Sequence, residues 1–147
     1  MSFQTSPPET VADGVGYLLT WQGRRLAHRF ARALEPLELG TRHFGLLNLI
    51  DARPGSTQHE LGERSMIDPS SMVVVVDDLE RRGLAQRRVH PADRRKRVVV
   101  LTDAGREMLR RAREVAERSV DATLAPLDPG ERETLRRLLR KLAGAER

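Results

Sequence analysis

The stretch that decides the fold is residues 68–83, which read DPSSMVVVVDDLERRG. Asp68 is a good helix N-cap, and Pro69 suits the first helical position because no amide hydrogen is needed there. Four apolar residues then stand at i, i+3, i+4 and i+7: Met72, Val75, Val76 and Leu79. Four consecutive valines favour a strand by propensity. The cap, the apolar stripe and the terminating Gly83 nevertheless predict a helix.

A shorter helix is predicted immediately before this one. Thr57 and Glu60 have the spacing of a capping box, in which each side chain satisfies the other residue's exposed amide. The helix that they open ends near Arg64, and residues 65–67 separate it from Asp68. Two short helices joined by a tight turn are typical of a helix-turn-helix.

A β-hairpin is predicted directly after the two helices. Residues 84–90 and 95–101 read as short strands, and the second is rich in β-branched valine. Residues 91–94, Pro-Ala-Asp-Arg, form the expected turn. A hairpin in this position is a wing, so the middle of the chain predicts a winged helix-turn-helix.

Longer amphipathic helices flank this lobe. The first covers about residues 9–37, and a second follows with Thr41 as its cap. Thr102 caps a long helix from 103 to about 124, and Asp128 starts a last one. The predicted fold class is therefore mostly α with a small β-hairpin wing.

Composition limits the classes of protein. A chain of 147 residues with 39% hydrophobic and 32% charged residues suits one helical domain, part of whose apolar surface needs a second subunit. The absence of cysteine excludes disulfides, thiolate zinc sites and thiol redox sensing. Residues 1–8 are expected to be a disordered lead-in. With no signal peptide pattern and no apolar run of membrane length, a cytoplasmic protein without membrane contact is expected.

Positive charge is concentrated in one segment. Residues 81–97 hold eight Lys or Arg and one Asp, a net charge of +7, whereas the whole chain carries +5, so the remaining residues sum to −2. Such a segment suits contact with a polyanion, although many charge runs are simply solvated faces. Only five aromatic residues are present, too few for a stacking platform, which favours duplex over single-stranded nucleic acid.

Candidate DNA contacts follow from the predicted elements. Ser56, Thr57 and Gln58 lie at the start of the third helix, where donors to phosphate are favoured, although helix capping alone also explains them. Ser70 and Ser71 lie at the start of the helix predicted to enter the major groove.

Four stretches together resemble the MarR family of bacterial transcription regulators. They are residues 61–72 (LGERSMIDPSSM), 76–85 (VDDLERRGLA), 93–95 (DRR) and 100–105 (VLTDAG). Their order and spacing are specific, and the resemblance covers almost the whole chain.

The resemblance implies a single domain over 9–147, with a winged lobe over about 41–101 and dimerisation helices over about 9–37 and 103–144. It also implies a homodimer on a pseudo-palindromic operator in duplex DNA, acting more often as repressor than as activator. In the wing, it matches Asp93 and Arg95 to a tip pair in which the aspartate holds the arginine in the minor groove. An ordinary surface ion pair is the alternative.

Further wing cations are assigned to phosphates, and one feature departs from the family pattern. The phosphate candidates are Arg87, Arg88, Arg94, Lys96 and Arg97. Relatives usually place polar or basic residues where this chain has Val73 and Val74. Valine cannot donate to guanine but can touch a thymine methyl group. Either base readout uses such apolar contacts together with the serines, or specificity comes from DNA shape. Asp77 and Asp78 are expected to turn away from the DNA or to pair with Arg81 and Arg82.

The resemblance further implies control by a small aromatic or phenolic effector. The candidate contacts are Trp21, His28, Arg29 and His43, although Trp21 is also a plausible dimer anchor and the histidines plausible surface residues. Neither a cofactor nor a metal site is expected, because the four histidines are scattered. The carboxylates suit helix surfaces, so an enzyme is not expected. The alternative function is a non-sensing, sequence-tolerant architectural DNA-binding protein.

Overall fold

A computed structural model describes residues 14–65 and 67–144 of the chain. The helices and strands in these ranges are α1 (Val15–Leu34), α2 (Thr41–Ala52), α3 (Gln58–Arg64), α4 (Pro69–Arg81), β1 (Ala85–His90), β2 (Asp93–Leu101), α5 (Asp103–Leu124) and α6 (Pro129–Leu142). The predicted fold class, mostly helical with a hairpin wing, is confirmed. The predicted lead-in and the first part of the first helix, residues 9–13, lie outside the described residues.

The chain divides into two compact units. The winged unit comprises residues 28–116, from the end of α1 through α2, α3, α4 and the hairpin to the first half of α5. The helical unit comprises, of the described residues, 14–27 and 117–144, which are the beginning of α1, the end of α5 and α6. In the described part of the chain, no helix has both the length and the apolar character needed to cross a membrane.

The core of the winged unit is built around one face of α4. Val76 and Leu79 are fully buried, and Met72 and Val75 nearly so. They join a cluster with leucines from α2, α3 and α5 and with Val99 of β2. Each fully buried side chain of this size contributes about 1.5–3 kcal/mol. This burial explains why the valine run is helical, as predicted, despite its preference for strands.

The predicted caps of α3 and α4 are confirmed. Thr57 Oγ1 accepts a hydrogen bond from the Glu60 amide at 3.2 Å, and the Glu60 carboxylate accepts one from the Thr57 amide at 2.7 Å. These bonds lower the pKa of Glu60. Asp68 Oδ1 accepts from the Ser70 hydroxyl at 2.6 Å and from the Ser71 amide at 2.9 Å, so the pKa of Asp68 lies well below its usual value.

Three predicted boundaries are wrong. Gly40, and not Thr41, is the N-cap of α2. Gly40 has an extended backbone (φ −86°, ψ 164°), whereas Thr41 is already the first residue of the helix. The α-helical part of the first helix stops at Leu34, and residues 35–37 form a 3₁₀ turn around Pro36, which cannot continue an α-helix. Strand β2 begins at Asp93, so the hairpin turn is shorter than the predicted 91–94.

The hairpin is joined to the start of α3. The antiparallel register pairs Arg88 with Val98 and Val89 with Arg97, with an irregularity before His90. On its other edge, β2 bridges Thr57 through Val98, and the Val99 amide donates to the Ser56 carbonyl at 3.0 Å. The wing and the N-terminus of α3 therefore lie side by side.

Gly105 is required where α5 meets the end of α4. As predicted, Thr102 caps α5: its Oγ1 accepts from the Gly105 amide at 3.0 Å and donates to the Gly83 carbonyl at 2.6 Å. A Cβ at Gly105 would overlap the backbone carbonyl of Leu84. The glycine permits this close approach of backbone to backbone.

We expect Gly105→Ala to lower the free energy of unfolding by at least 1–3 kcal/mol, roughly the cost of overpacking a core, because the Leu84 backbone must move. Gly45→Ala, within α2, is the matched control, since its Cβ would meet no atom within 4 Å. The control should be neutral or stabilising by up to about 1 kcal/mol through helix propensity. Urea unfolding measures both; equal effects would contradict the contact.

Candidate nucleic-acid interface

The basic segment 81–97 divides into paired and exposed arginines. Arg81 binds Asp78, and Arg82 lies 3.8 Å from Asp78 while also donating to the carbonyls of Leu37 and Glu38 at 3.1 and 2.7 Å. Arg82 fastens the end of α4 to the turn after α1, and its side chain is only 21% exposed. Arg81 is paired within α4, but its side chain is 74% exposed.

Asp78 pairs as predicted. Its carboxylate contacts Arg81 and Arg82, and its Oδ2 lies 3.0 Å from His43 Nε2. Burial opposes ionisation of this carboxyl, but the hydrogen bond from Arg81 and the neighbouring positive charges outweigh it, so the pKa of Asp78 is lowered. Asp78 is therefore ionised at neutral pH and neutralised by its neighbours.

Asp77 has a different partner from the one predicted. It binds Arg87 of β1, with Oδ1 2.8 Å from Nη2, rather than the predicted Arg81 or Arg82. The reason is geometric: Asp77 lies at the end of the outward face of α4, where the side chain of Arg87 on the returning strand β1 reaches it. Like Asp78, this carboxylate is neutralised by an arginine, which reduces its repulsion of phosphate.

Arg87 joins three elements of the winged unit. Its guanidinium binds Asp77 and Glu80 of α4 and donates to Gln58 Oε1 of α3, with Nη2 at 2.8 Å. Its backbone amide donates to Glu80 at 2.6 Å. Burial alone would lower the pKa of Arg87, but the two carboxylates raise it. Two residues predicted to contact phosphate, Gln58 and Arg87, thus bind each other.

The tip of the wing has the predicted pair of residues in contact. Asp93 Oδ1 accepts a hydrogen bond from the Arg95 amide at 3.0 Å and lies 3.6 Å from Arg95 Nε. The side chain of Arg95 is 93% exposed, whereas that of Asp93 is 33% exposed. Asp93 therefore fixes the base of an arginine whose guanidinium extends into solvent.

The other wing cations extend along both strands. Arg88, Arg94, Lys96 and Arg97 are all exposed. Strand β2 alone presents four consecutive basic side chains, residues 94–97. These cations, together with Arg95, are the wing side chains that remain available to a polyanion.

The start of α3 provides polar groups beside the wing. Ser56 and Gln58 are half-buried there, and the Thr57 hydroxyl is engaged in the cap of the helix. The structure thus shows the capping role of Thr57. Phosphate contact by these three residues stays a prediction.

The outward face of α4 is apolar at its centre. Val73 is 44% exposed and Val74 is 68% exposed, as their position in the predicted helix requires. Ser70 donates to Asp68, and the Ser71 hydroxyl lies 3.4 Å from Arg42 Nη1 of α2. The serines predicted to contact DNA therefore have intramolecular partners.

Comparisons with known proteins agree on one family. Residues 37–96 match the family model described as MarR family. The putative transcriptional regulatory protein for the hcr operon of Thauera aromatica is 35% identical over 135 residues, which cover 90% of this chain and 81% of that protein. The chain belongs to the MarR family of transcription regulators. The resemblance found in the sequence is confirmed.

Two solved structures of the MarR family are similar over most of the chain. The transcriptional repressor CouR bound to a 23-mer DNA duplex is 33% identical with a TM-score of 0.79, covering 92% of this chain and 96% of that one. A MarR family protein of Mycobacterium tuberculosis in complex with p-aminosalicylic acid is 29% identical with a TM-score of 0.75, covering 88% and 98%. The fold of the chain is thus that of the MarR family.

The four effector candidates fall in both units. Trp21 belongs to the helical unit, where the Arg25 guanidinium lies 5.2 Å from the centre of its ring. His28, Arg29 and His43 belong to the winged unit. His43 Nδ1 accepts from the Gly40 amide at 3.1 Å, and its Nε2 lies 3.0 Å from Asp78 Oδ2. His43 therefore connects α2 to α4.

Glu80 is the residue of this MarR-family site that sequence reasoning missed. It precedes the basic segment directly, and Gly83 turns the chain so that β1 returns along α4. An acidic residue one turn after Asp77, just before a hairpin that folds back, was the available signal. Its role is to hold Arg87 through both backbone and side chain.

We expect Glu80→Ala to lower the free energy of unfolding by about 1–2 kcal/mol, because the half-buried Arg87 loses a charged partner. Glu63→Ala is the matched control: Glu63 is 66% exposed on α3 and lies 3.6 Å from His59. A surface change of this kind stays within about 0.5 kcal/mol. Urea unfolding of both variants decides, and no difference between them would show that Glu80 does not brace the wing.

Proposed function

We propose that the protein is a homodimeric transcriptional repressor that binds a pseudo-palindromic operator in duplex DNA and responds to a small aromatic or phenolic ligand. The observation that carries the proposal is the wing tip, where Asp93 anchors an arginine whose side chain is 93% exposed. A narrow minor groove concentrates negative potential and favours a guanidinium held in this way. The structure of CouR bound to a 23-mer DNA duplex supports duplex DNA as the partner.

In this proposal α4 enters the major groove and α3 lies across the backbone. Ser56, Thr57 and Gln58 face phosphates at the start of α3, and Ser70 and Ser71 lie at the start of α4. Arg95 enters the minor groove. The exposed wing cations neutralise phosphates and release counterions, which makes affinity depend steeply on salt concentration. These cations are Arg88, Arg94, Lys96 and Arg97.

In this proposal Arg87 positions the wing instead of contacting phosphate. Its guanidinium is already shared by Asp77 and Glu80. A charge neutralised in this way adds little to phosphate binding, but it holds β1 against α4. We therefore assign Arg87 to positioning the wing relative to the recognition helix.

Dimer formation is supported by the helical unit. Its α1, α5 and α6 segments line a largely apolar groove of about 500 Å³, with Leu18, Leu26, Leu135 and Leu139 among the lining residues. Val15 and Leu142 are each more than 70% exposed in the single chain. A second copy of the chain would cover this apolar surface.

Effector binding is proposed from the family and the candidate residues. The complex of the Mycobacterium tuberculosis relative with p-aminosalicylic acid supports an aromatic acid. The proposed contacts are Trp21, His28, Arg29 and His43. Through its contact with Asp78, His43 offers a direct way for a change in α2 to reach α4.

The test is selection from a library of randomised duplexes by the purified protein, followed by sequencing of the retained DNA. We expect a palindrome with half-sites about one helical turn apart, because two symmetry-related helices must enter successive major grooves. Retention without a motif would replace the proposal with a sequence-tolerant architectural role. A steep salt dependence alone does not separate the two, since both depend on phosphate contacts.

Arg95→Ala should weaken binding to the selected operator by roughly 1–3 kcal/mol, because one fixed groove contact is lost. Arg136→Ala is the control: it removes an exposed arginine of α6 outside the winged unit, keeps the apolar side chains of the proposed dimer surface, and should leave affinity unchanged. Fluorescence anisotropy with labelled operator measures both. Asp93→Ala sharpens the test: it removes a negative charge, yet it should also weaken binding if Asp93 positions Arg95. Tighter binding by that variant would reject the proposed role.

A further inference from the structure

The outward face of α4 carries two exposed valines at its centre. Residues at i, i+3, i+4 and i+7 share that face: Ser70, Val73, Val74 and Asp77. Val74 is 68% exposed and Val73 is 44% exposed, whereas Val75 and Val76 are buried in the core. Val74, and to a smaller degree Val73, therefore keeps apolar surface that the packing of the winged unit does not use.

Local structure does not explain valine at these positions. A β-branched side chain loses rotamer freedom in a helix, so alanine, leucine or a charged residue would stabilise α4 more. Exposed apolar methyl groups also gain nothing from water. We therefore look for the role of these two valines in contact with another molecule.

The polar groups around the valines are already engaged. On one side, Ser70 donates to Asp68, and Ser71 lies within reach of Arg42. On the other side, Asp77 binds Arg87 at the base of the wing. The result is an apolar centre flanked by cations, Arg42 at one end and the basic hairpin at the other.

We propose that Val73 and Val74 read the C5-methyl groups of thymines in the major groove, so that each operator half-site carries thymine where they contact it. The inference rests on the proposed function, in which α4 enters that groove. The thymine methyl is the apolar group that base pairs expose there, and the minor groove does not present it. Valine offers no hydrogen bond to any base and complements a methyl group through burial alone.

The test replaces thymine with deoxyuridine in the selected operator, one position at a time, which removes the methyl and keeps the base pair. At a thymine that the valines contact, we expect affinity to fall about fourfold, the equivalent of the ~0.8 kcal/mol gained on burying one such group. Deoxyuridine in the segment contacted by the wing should have no effect, because the methyl does not project into the minor groove.

A double-mutant cycle assigns the effect to the valines. The variant Val73→Ala/Val74→Ala keeps the helix, since alanine is the better helix former. It should bind the thymine operator more weakly than the wild type and no longer distinguish thymine from deoxyuridine. An equal uracil effect in wild type and variant would mean that the methyl acts on DNA shape, which would overturn the inference.

The outcomes separate this inference from the proposed function. A palindrome whose affinity is unchanged by deoxyuridine at every major-groove position, or one with no thymine in its half-sites, overturns methyl readout and leaves the regulator intact. Failure to select any motif removes the proposed function itself. A uracil effect that disappears in the alanine variant supports both.

Discussion

The apolar stripe that α4 buries positions every other part of the interface. Val76 and Leu79 have no exposed surface, and Met72 has almost none. Because these side chains are locked into the core, the opposite face of the same helix must point outward. That face presents Val73 and Val74, and its end carries the carboxylates that hold the wing. The proposed recognition surface is thus a consequence of how the core is packed.

The acidic residues of α4 are neutralised by ion pairs within the winged unit. Helix α4 carries three acidic residues, Asp77, Asp78 and Glu80, which would repel DNA if they were free. Each is paired with an arginine: Asp78 with Arg81 and Arg82, and the other two with Arg87. Of these arginines, Arg82 also joins α4 to the turn after α1, and Arg87 joins it to β1. Neutralisation of the helix and attachment of its neighbours are therefore one set of contacts.

The base and the tip of the hairpin differ in how firmly their arginine side chains are held. At the base, Arg87 is bound by three side chains, so the hairpin leaves the helices in a defined direction. At the tip, Arg95 is tied only near its backbone by Asp93. A rigid base and an extended tip suit the proposed role of the wing as an arm that reaches a groove at a set distance from α4. On the other side of α4, His43 gives α2 a direct contact with Asp78.

Local signals in the sequence determined the helices, their caps at Thr57, Asp68 and Thr102, the existence of the hairpin and the concentration of positive charge. These features depend on residues within about four positions of each other, which the sequence displays directly. The partners of the arginines were decided only by the tertiary structure. Arg87 reaches Gln58 across 29 residues, and Arg82 reaches Leu37 across 45. Such contacts depend on how separate elements pack. From the sequence, several carboxylates could have paired with Arg87, and only the packing of the core brings Asp77 and Glu80 next to β1.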